Sequence, residues 1–238
     1  MTTLVLASAS PARLATLRSA GIEPTVAVSA VDEPAVLAAA GDVPPAEAVL
    51  LLARAKARDV APGHTGALVL GCDSMLELDG RVLGKPADAA DAAARWRAMR
   101  GRSGRLHTGH WLVDRRAGGD GAGGGVGAGG DGDGAGVGAG RESGATSTTV
   151  VHFADVTDAE IDAYVATGEP LWVAGAFTID GLGGAFITGV EGDHHGVVGL
   201  SLPLLRDLLS ARGVPRYRPA RGADASPHSH IAVVPIPW

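Results

Sequence analysis

The apolar run Thr3–Ala7 has the length of a β-strand, and SASPAR, residues 8–13, follows it at once. Ser10 offers a side-chain oxygen to cap a helix. Pro11 suits the first helical turn, where its missing N–H costs nothing. Together they predict a strand that turns sharply into a helix. Such a turn leaves backbone N–H groups at the helix start, which favours an anion. Arg13 sits in that first turn, where a cation opposes the helix dipole. An arriving anion explains it better; an ordinary turn with a surface arginine is the plain alternative.

Residues 25–31 read as a second strand that ends at Asp32-Glu33-Pro34, and 44–60 read as a helix with prolines at its start. Val49, Leu52, Ala53 and Lys56 fall on one face of that helix. Lys56 therefore projects from the apolar face, either snorkelling from its edge or aimed into a cleft. Residues 67–71 are a continuous apolar strand, followed by Cys72-Asp73-Ser74. Residues 75–78 and 81–83 around Asp79-Gly80 read as a hairpin. Asp73 interrupts an apolar strand, and carboxylates are seldom buried without a partner or a metal.

Gly84-Lys85-Pro86 precedes a helix over 88–100, and 105–113 read as a strand. His107 and His110 lie three apart on it, so they face opposite sides and form no metal pair. Residues 117–144 are almost entirely Gly, Ala and Asp, the composition of a flexible insert. They lack the flanking strand, following helix and lysine of a phosphate loop. A strand over 146–153 leads to Thr157 and Glu160, a capping box that opens a helix to about Thr167. The stretch 174–187 is a Gly-rich bend holding Asp180, and 186–190 read as a strand. The adjacent His194 and His195 diverge if extended. Ser201 caps a last helix to about Arg212, with Gly213 placed to end it. The predicted organisation is one domain over 1–213, with a poorly ordered tail over 214–238.

A chain of 238 residues can bury a substantial core. Its net charge of −6 argues against a nucleic-acid footprint. One cysteine, Cys72, excludes an internal disulfide and suits a reducing compartment. No apolar run is long enough to span a membrane, and no signal peptide is evident, so the expected location is cytoplasmic. Only two of the twenty basic residues are lysines, Lys56 and Lys85, and the chain has no Asn and no Gln. Where a surface charge suffices this chain uses Arg. The two lysines are therefore expected where a compact ammonium is needed. Acids at Asp32, Glu33 and Asp73, with these lysines, point to a divalent metal and a polyanionic substrate. Mg²⁺ takes few carboxylates and shares phosphate oxygens, and phosphoryl chemistry needs mainly positioning and charge neutralisation.

The ordered set SASPAR (8–13), DE (32–33), LARAKA (52–57), GCDS (71–74), LDGRVLGKP (78–86), HTGH (107–110), EIDAYVATGEP (160–170), AGAFTIDGLGGAF (174–186) and GDHHGVVGLSL (192–202) resembles the Maf family of nucleoside triphosphate pyrophosphatases. The resemblance implies an α/β fold with an elongated, mixed, twisted sheet, flanking helices, two lobes and a deep cleft. It implies hydrolysis of a nucleoside triphosphate to the monophosphate and pyrophosphate with Mg²⁺ or Mn²⁺, commonly by a homodimer. Carried over, Ser8, Ser10 and Arg13 would hold phosphate, and Glu33 and Asp73 would bind metal. Asp73 would also orient or deprotonate the attacking water, and Lys56 and Lys85 would neutralise the triphosphate.

The chain departs from the family pattern at Ala12 and Ala15, where an arginine and a glutamate are usual. Ser74 stands for a threonine, Trp172-Val173 for an Asp-Lys pair, and Asp180 for a glutamine. Asp180 adds a negative charge near the expected site, one that binds metal or base or repels phosphate. These changes bear on base preference and rate more than on reaction class. Two other functional readings remain. One is an inosine-triphosphate-type house-cleaning pyrophosphatase, marked by preference for ITP. The other is a nucleotide-binding division regulator with little catalysis, marked by binding without turnover. A purely structural protein leaves the ordered motifs unexplained.

Overall fold

A computed structural model describes residues 2–116 and 141–214. β1 (Thr3–Ala7) runs into α1 (Pro11–Ser19), and the Ser10 hydroxyl accepts the Arg13 N–H as its cap. β2 (Thr25–Val26) is followed by α2 (Glu33–Ala40) and α3 (Pro45–Val60). β3 (Ala67–Leu78) turns at Asp79-Gly80 into β4 (Arg81–Leu83). Then come α4 (Ala89–Met99), β5 (Ser103–Asp114), β6 (Glu142–Phe153), α5 (Asp158–Ala166), β7 (Ile187–Glu191), α6 (His194–Val198) and α7 (Leu202–Ser210).

The strands form one mixed sheet in the order β2-β1-β3-β5-β6-β7, with β4 also on β3. β1 is parallel to β2 and β3, and the other pairs are antiparallel. The last β1–β3 pair is Ala7 with Gly71. β3 continues beyond it, so Asp73 and Ser74 lie just outside the carboxyl end of β1, where open α/β sheets receive ligands.

Alternation along β3 assigns its two faces. One face carries Val69, Gly71, Asp73 and Met75 and receives α3. A Cβ on Gly71 would collide with the Ala53 carbonyl and the Ala57 N–H of α3. On Gly109, opposite Asp73, it would collide with the backbone of Val49 and Leu50. The two glycines let α3 settle onto the sheet, which brings Lys56 over Asp73. The other face carries Leu70, Cys72 and Ser74. It packs Leu17 of α1, Leu112 of β5 and Leu205 of α7.

A separate core lies toward the far end of β3, around Trp96, which is fully buried. Its ring meets Phe153, Tyr164 and Phe186 edge-on at 5.5–5.7 Å. Its indole N–H donates to the Ala176 carbonyl at 2.7 Å, which ties α4 to the Gly-rich bend.

Several expectations need adjustment. The second strand stops at Val26, and Asp32-Glu33 opens a helix, with Asp32 as N-cap accepting the Ala35 N–H. The insert predicted over 117–144 ends earlier, because Glu142, Ser143 and Gly144 pair with β5. Its remainder over 117–140, and the tail from 215 onward, lie outside the described residues. Phe186 belongs to a 3₁₀ turn and not to β7. His194 and His195 are helical, and their rings meet edge-on.

Candidate active site

Lys56 of α3 reaches down to the sheet and bridges two acids. Its Nζ lies 2.6 Å from Asp73 Oδ1 and 2.7 Å from Glu33 Oε1. The Lys56 and Asp73 side chains are 12% and 11% exposed, whereas Glu33 is about half exposed at 48%. Burial pushes the Asp73 carboxyl above its ordinary value, the Lys56 and Arg13 charges pull it back, and Glu33 pushes it up again; the net direction is upward. A carboxyl raised this way is a better proton acceptor than an exposed aspartate.

Two carboxylates from different elements, α2 and β3, thus converge on one cation. The same oxygens suit a small hard divalent ion. Among the described residues no cluster of three or more His, Cys, Asp or Glu is assembled. Two carboxylates alone match an ion that keeps water and shares oxygens with a phosphate ligand, as Mg²⁺ does.

On the other face of β3 lies a second cluster. The Ser8 hydroxyl accepts the Ser10 N–H at 3.2 Å and Arg13 Nη1 at 3.0 Å. Arg13 also donates from Nη1 to the Cys72 carbonyl at 2.9 Å, from Nε to the Gly199 carbonyl at 2.8 Å and from Nη2 to Ser74 Oγ at 3.1 Å. Four of its five N–H groups are therefore spent on protein oxygens. Ser8, Ser10 and Arg13 are together, as the sequence groups them, but the guanidinium works first as a clamp. It grips the residues either side of Asp73 and so fixes that carboxylate in place.

Lys85 and Asp180 are exposed. Lys85 follows β4, and Asp180 lies in the Gly-rich bend between α5 and β7. Neither side chain touches the Lys56–Asp73–Glu33 cluster among the described residues. The bend itself is gathered by Glu169. Its carboxylate accepts from Tyr164 Oη, Thr178 Oγ1 and the N–H groups of Leu182 and Gly183. Burial works against this carboxylate, but those hydrogen bonds hold it below its ordinary value.

Some partners were beyond reach of the sequence. Ser74 Oγ shares a hydrogen bond with Thr108 Oγ1 at 3.0 Å, and Thr108 donates to the Gly196 carbonyl. His107 lies between Glu77 and Thr148, each at 2.9 Å. The histidine spacing pointed to opposite faces, but only strand register reveals these partners. His110, on the other face, accepts the Ser201 N–H at Nε2 and contacts the Thr108 carbonyl through Nδ1. This requires the neutral tautomer with the proton on Nδ1. Burial and the Arg13 charge push its pKa down to about 4. Burial likewise pushes the Cys72 thiol up to about 12, which removes it as a nucleophile.

The model of the family described as Maf-like protein matches residues 3–212. A nucleoside triphosphate pyrophosphatase of Streptomyces coelicolor is 55% identical over 212 residues, covering 88% of this chain and 90% of its own length. One from Salinispora tropica is 51% identical over 240 residues, covering 98% and 95%. One from Leifsonia xyli is 54% identical over 214 residues, covering 87% and 91%. The family match spans both side-chain clusters and every described strand, and the chain belongs to the Maf-like protein family.

Proposed function

We propose that this protein hydrolyses nucleoside triphosphates to the nucleoside monophosphate and pyrophosphate. The observation that carries the reading is the buried Asp73 carboxylate under Lys56, just beyond the end of β1. The named activity of the relatives agrees with it.

In this reading Asp73 orients a water and takes its proton. The water oxygen bonds to the α-phosphorus, the bond from that phosphorus to the bridging oxygen of the β-phosphate breaks, and pyrophosphate leaves. Lys56 offsets charge on the triphosphate as it develops. Lys85 approaches the triphosphate from the loop after β4. Ser8 and Ser10 line the turn at the start of α1, where anions are favoured. Arg13 holds Ser8, Cys72 and Ser74 in register beneath. Glu33 and Asp73 would hold a divalent cation, Mg²⁺ or Mn²⁺, which when bound supplies charge neutralisation and lowers the pKa of a bound water. Asp180 is placed in the bend as a candidate contact for the nucleotide. A homodimeric state is what the resemblance implies, and the single cysteine suits a reducing, cytoplasmic location. Among the described residues no helix is long and apolar enough to cross a membrane.

Hydrolysis in ¹⁸O-water tests the bond that breaks. The reading places the label in the monophosphate. Label in pyrophosphate, or release of orthophosphate in place of pyrophosphate, would overturn it. A panel of nucleotides run in the same assay identifies the base, and a strong preference for ITP would favour the inosine-type reading.

A further inference from the structure

The loop that carries Lys85 is fastened mainly from one helix. The Gly84 carbonyl accepts two donors, Arg95 Nη1 at 2.5 Å and the Gly175 N–H at 3.0 Å. Arg95 Nη2 also reaches the Lys85 carbonyl at 3.3 Å. The same guanidinium grips Asp91, with Nε on Oδ1 at 3.1 Å and Nη2 on Oδ2 at 2.7 Å. Asp91 Oδ2 in turn accepts the Ala87 N–H at 2.9 Å. The Asp91–Arg95 pair therefore holds backbone on both sides of Lys85. Helix α4 is a firm base for it, because the next residue, Trp96, is fully buried and bonded to Ala176.

An i,i+4 ion pair on a helix needs only Arg95 and Asp91. Here the Nη1 edge of the fork turns away from the helix, to a carbonyl of another segment. The Arg95 side chain is only 16% exposed. Lys85 has an exposed side chain with no hydrogen-bond or ion-pair partner among the described residues, next to a glycine. Its placement depends on its backbone.

We propose that Arg95, with Asp91, is a positioning residue that aims the Lys85 ammonium at the triphosphate. This rests on the reading of Lys85 given above. The Lys85 loop is also joined to the bend that holds Asp180, since the Gly84 carbonyl accepts the Gly175 N–H and Trp96 of α4 donates to the Ala176 carbonyl. The contribution is geometric: a misplaced charge loses transition-state contact without loss of the fold.

The test is a cycle of Lys85→Ala, Arg95→Ala and their double variant, with Arg95→Lys alongside, in full-length protein. Pyrophosphate release gives kcat and KM, and thermal melts report folding. Lys85→Ala is expected to lower kcat/KM, and Arg95→Ala to lower it by about tenfold to a hundredfold. The double variant is expected to be no worse than Lys85→Ala, because the two act as a unit. Arg95→Lys keeps a charge for Asp91 but lacks the fork, so its melting temperature is expected to stay near wild type while kcat/KM falls as in Arg95→Ala. Should Arg95→Ala fail to fold, Arg95→Lys takes its place in the cycle. If Lys85→Ala is impaired while Arg95→Lys is not, or the effects multiply, the positioning role is wrong. If Lys85→Ala turns over normally, the reading of Lys85 itself fails and this proposal falls with it.

Discussion

Replacing Lys56 by methionine keeps a long apolar stem but removes the ammonium that Asp73 and Glu33 share. Glu33 is half exposed, so water takes over and its loss counts for little. Asp73 has no such recourse. Its side chain is 11% exposed, its Oδ1 loses the 2.6 Å contact, and four of the N–H groups of Arg13 are spent elsewhere. Breaking a buried pair from one side costs about 3–5 kcal/mol. At about 2–4 °C per kcal/mol for a domain of this size, melting should fall by roughly 6–20 °C. Asp73→Asn should cost less, because Lys56 keeps Glu33. The double variant Lys56→Met with Asp73→Asn removes both buried charges and should recover most of the loss. The deficit also has a pH sign. Without Lys56 the folded Asp73 carboxyl rises further above its unfolded value, so the folded state binds the extra proton and Lys56→Met is least stable at neutral pH, gaining as pH falls. Urea unfolding and calorimetry in the absence of nucleotide and divalent ions measure these differences. A Lys56→Met protein that melts within about 2 °C of wild type, or a double variant as weak as the single, refutes the reasoning from burial.

Three other changes test the framework around the site. His110 has a folded pKa of about 4 against an unfolded value of 6.5, so the unfolded state binds more protons between them and stability drops as pH falls through that window. The loss is on the order of 3 kcal/mol; His110→Gln should flatten this part of the pH dependence, and a His110→Gln protein whose urea midpoint varies with pH as the wild type's does contradicts it. The Cys72 thiol, buried and pushed up to about 12, should resist an aromatic disulfide reagent in the native protein and react fully in urea; rapid native reaction would mean the site opens. Gly109→Ala puts a Cβ against the backbone of Val49 and Leu50, which cannot yield as a side chain can. Its cost should exceed the ~1–3 kcal/mol of ordinary overpacking, and a wild-type urea midpoint would show that α3 packs less closely.

What the sequence reveals divides by distance along the chain. The Ser10-Pro11 helix start, the Asp79-Gly80 hairpin and the Thr157–Glu160 capping box are each set by neighbours within a few residues, and each is present. The helical spacing that puts Lys56 on the apolar face of α3 is equally local, and it leads directly to Asp73. The start of α2 goes unread in the sequence, because Asp32-Glu33-Pro34 after an apolar run reads as a strand end, although it opens a helix. Ala35 to Ala40 adds no polar face to decide it. The first residues of β6 hide in Gly-rich composition, since only pairing with β5 makes them a strand. Arg13 looks like a phosphate ligand in its own segment. Its carbonyl partners, Cys72 and Gly199, are 59 and 186 residues away, and only the folded chain shows it as a clamp. The line from Glu77 through His107 to Thr148 crosses three strands and was hidden for the same reason.

The most direct measurement is pyrophosphate and monophosphate release from a nucleoside triphosphate panel with Mg²⁺ or Mn²⁺, wild type beside Asp73→Asn, with nucleotide binding measured on both. The account predicts equal amounts of pyrophosphate and monophosphate from wild type. It also predicts that Asp73→Asn remains folded, still binds nucleotide and releases almost none. Turnover by Asp73→Asn at the wild-type rate would contradict the role given to that carboxylate, and binding without release in both proteins would contradict catalysis itself.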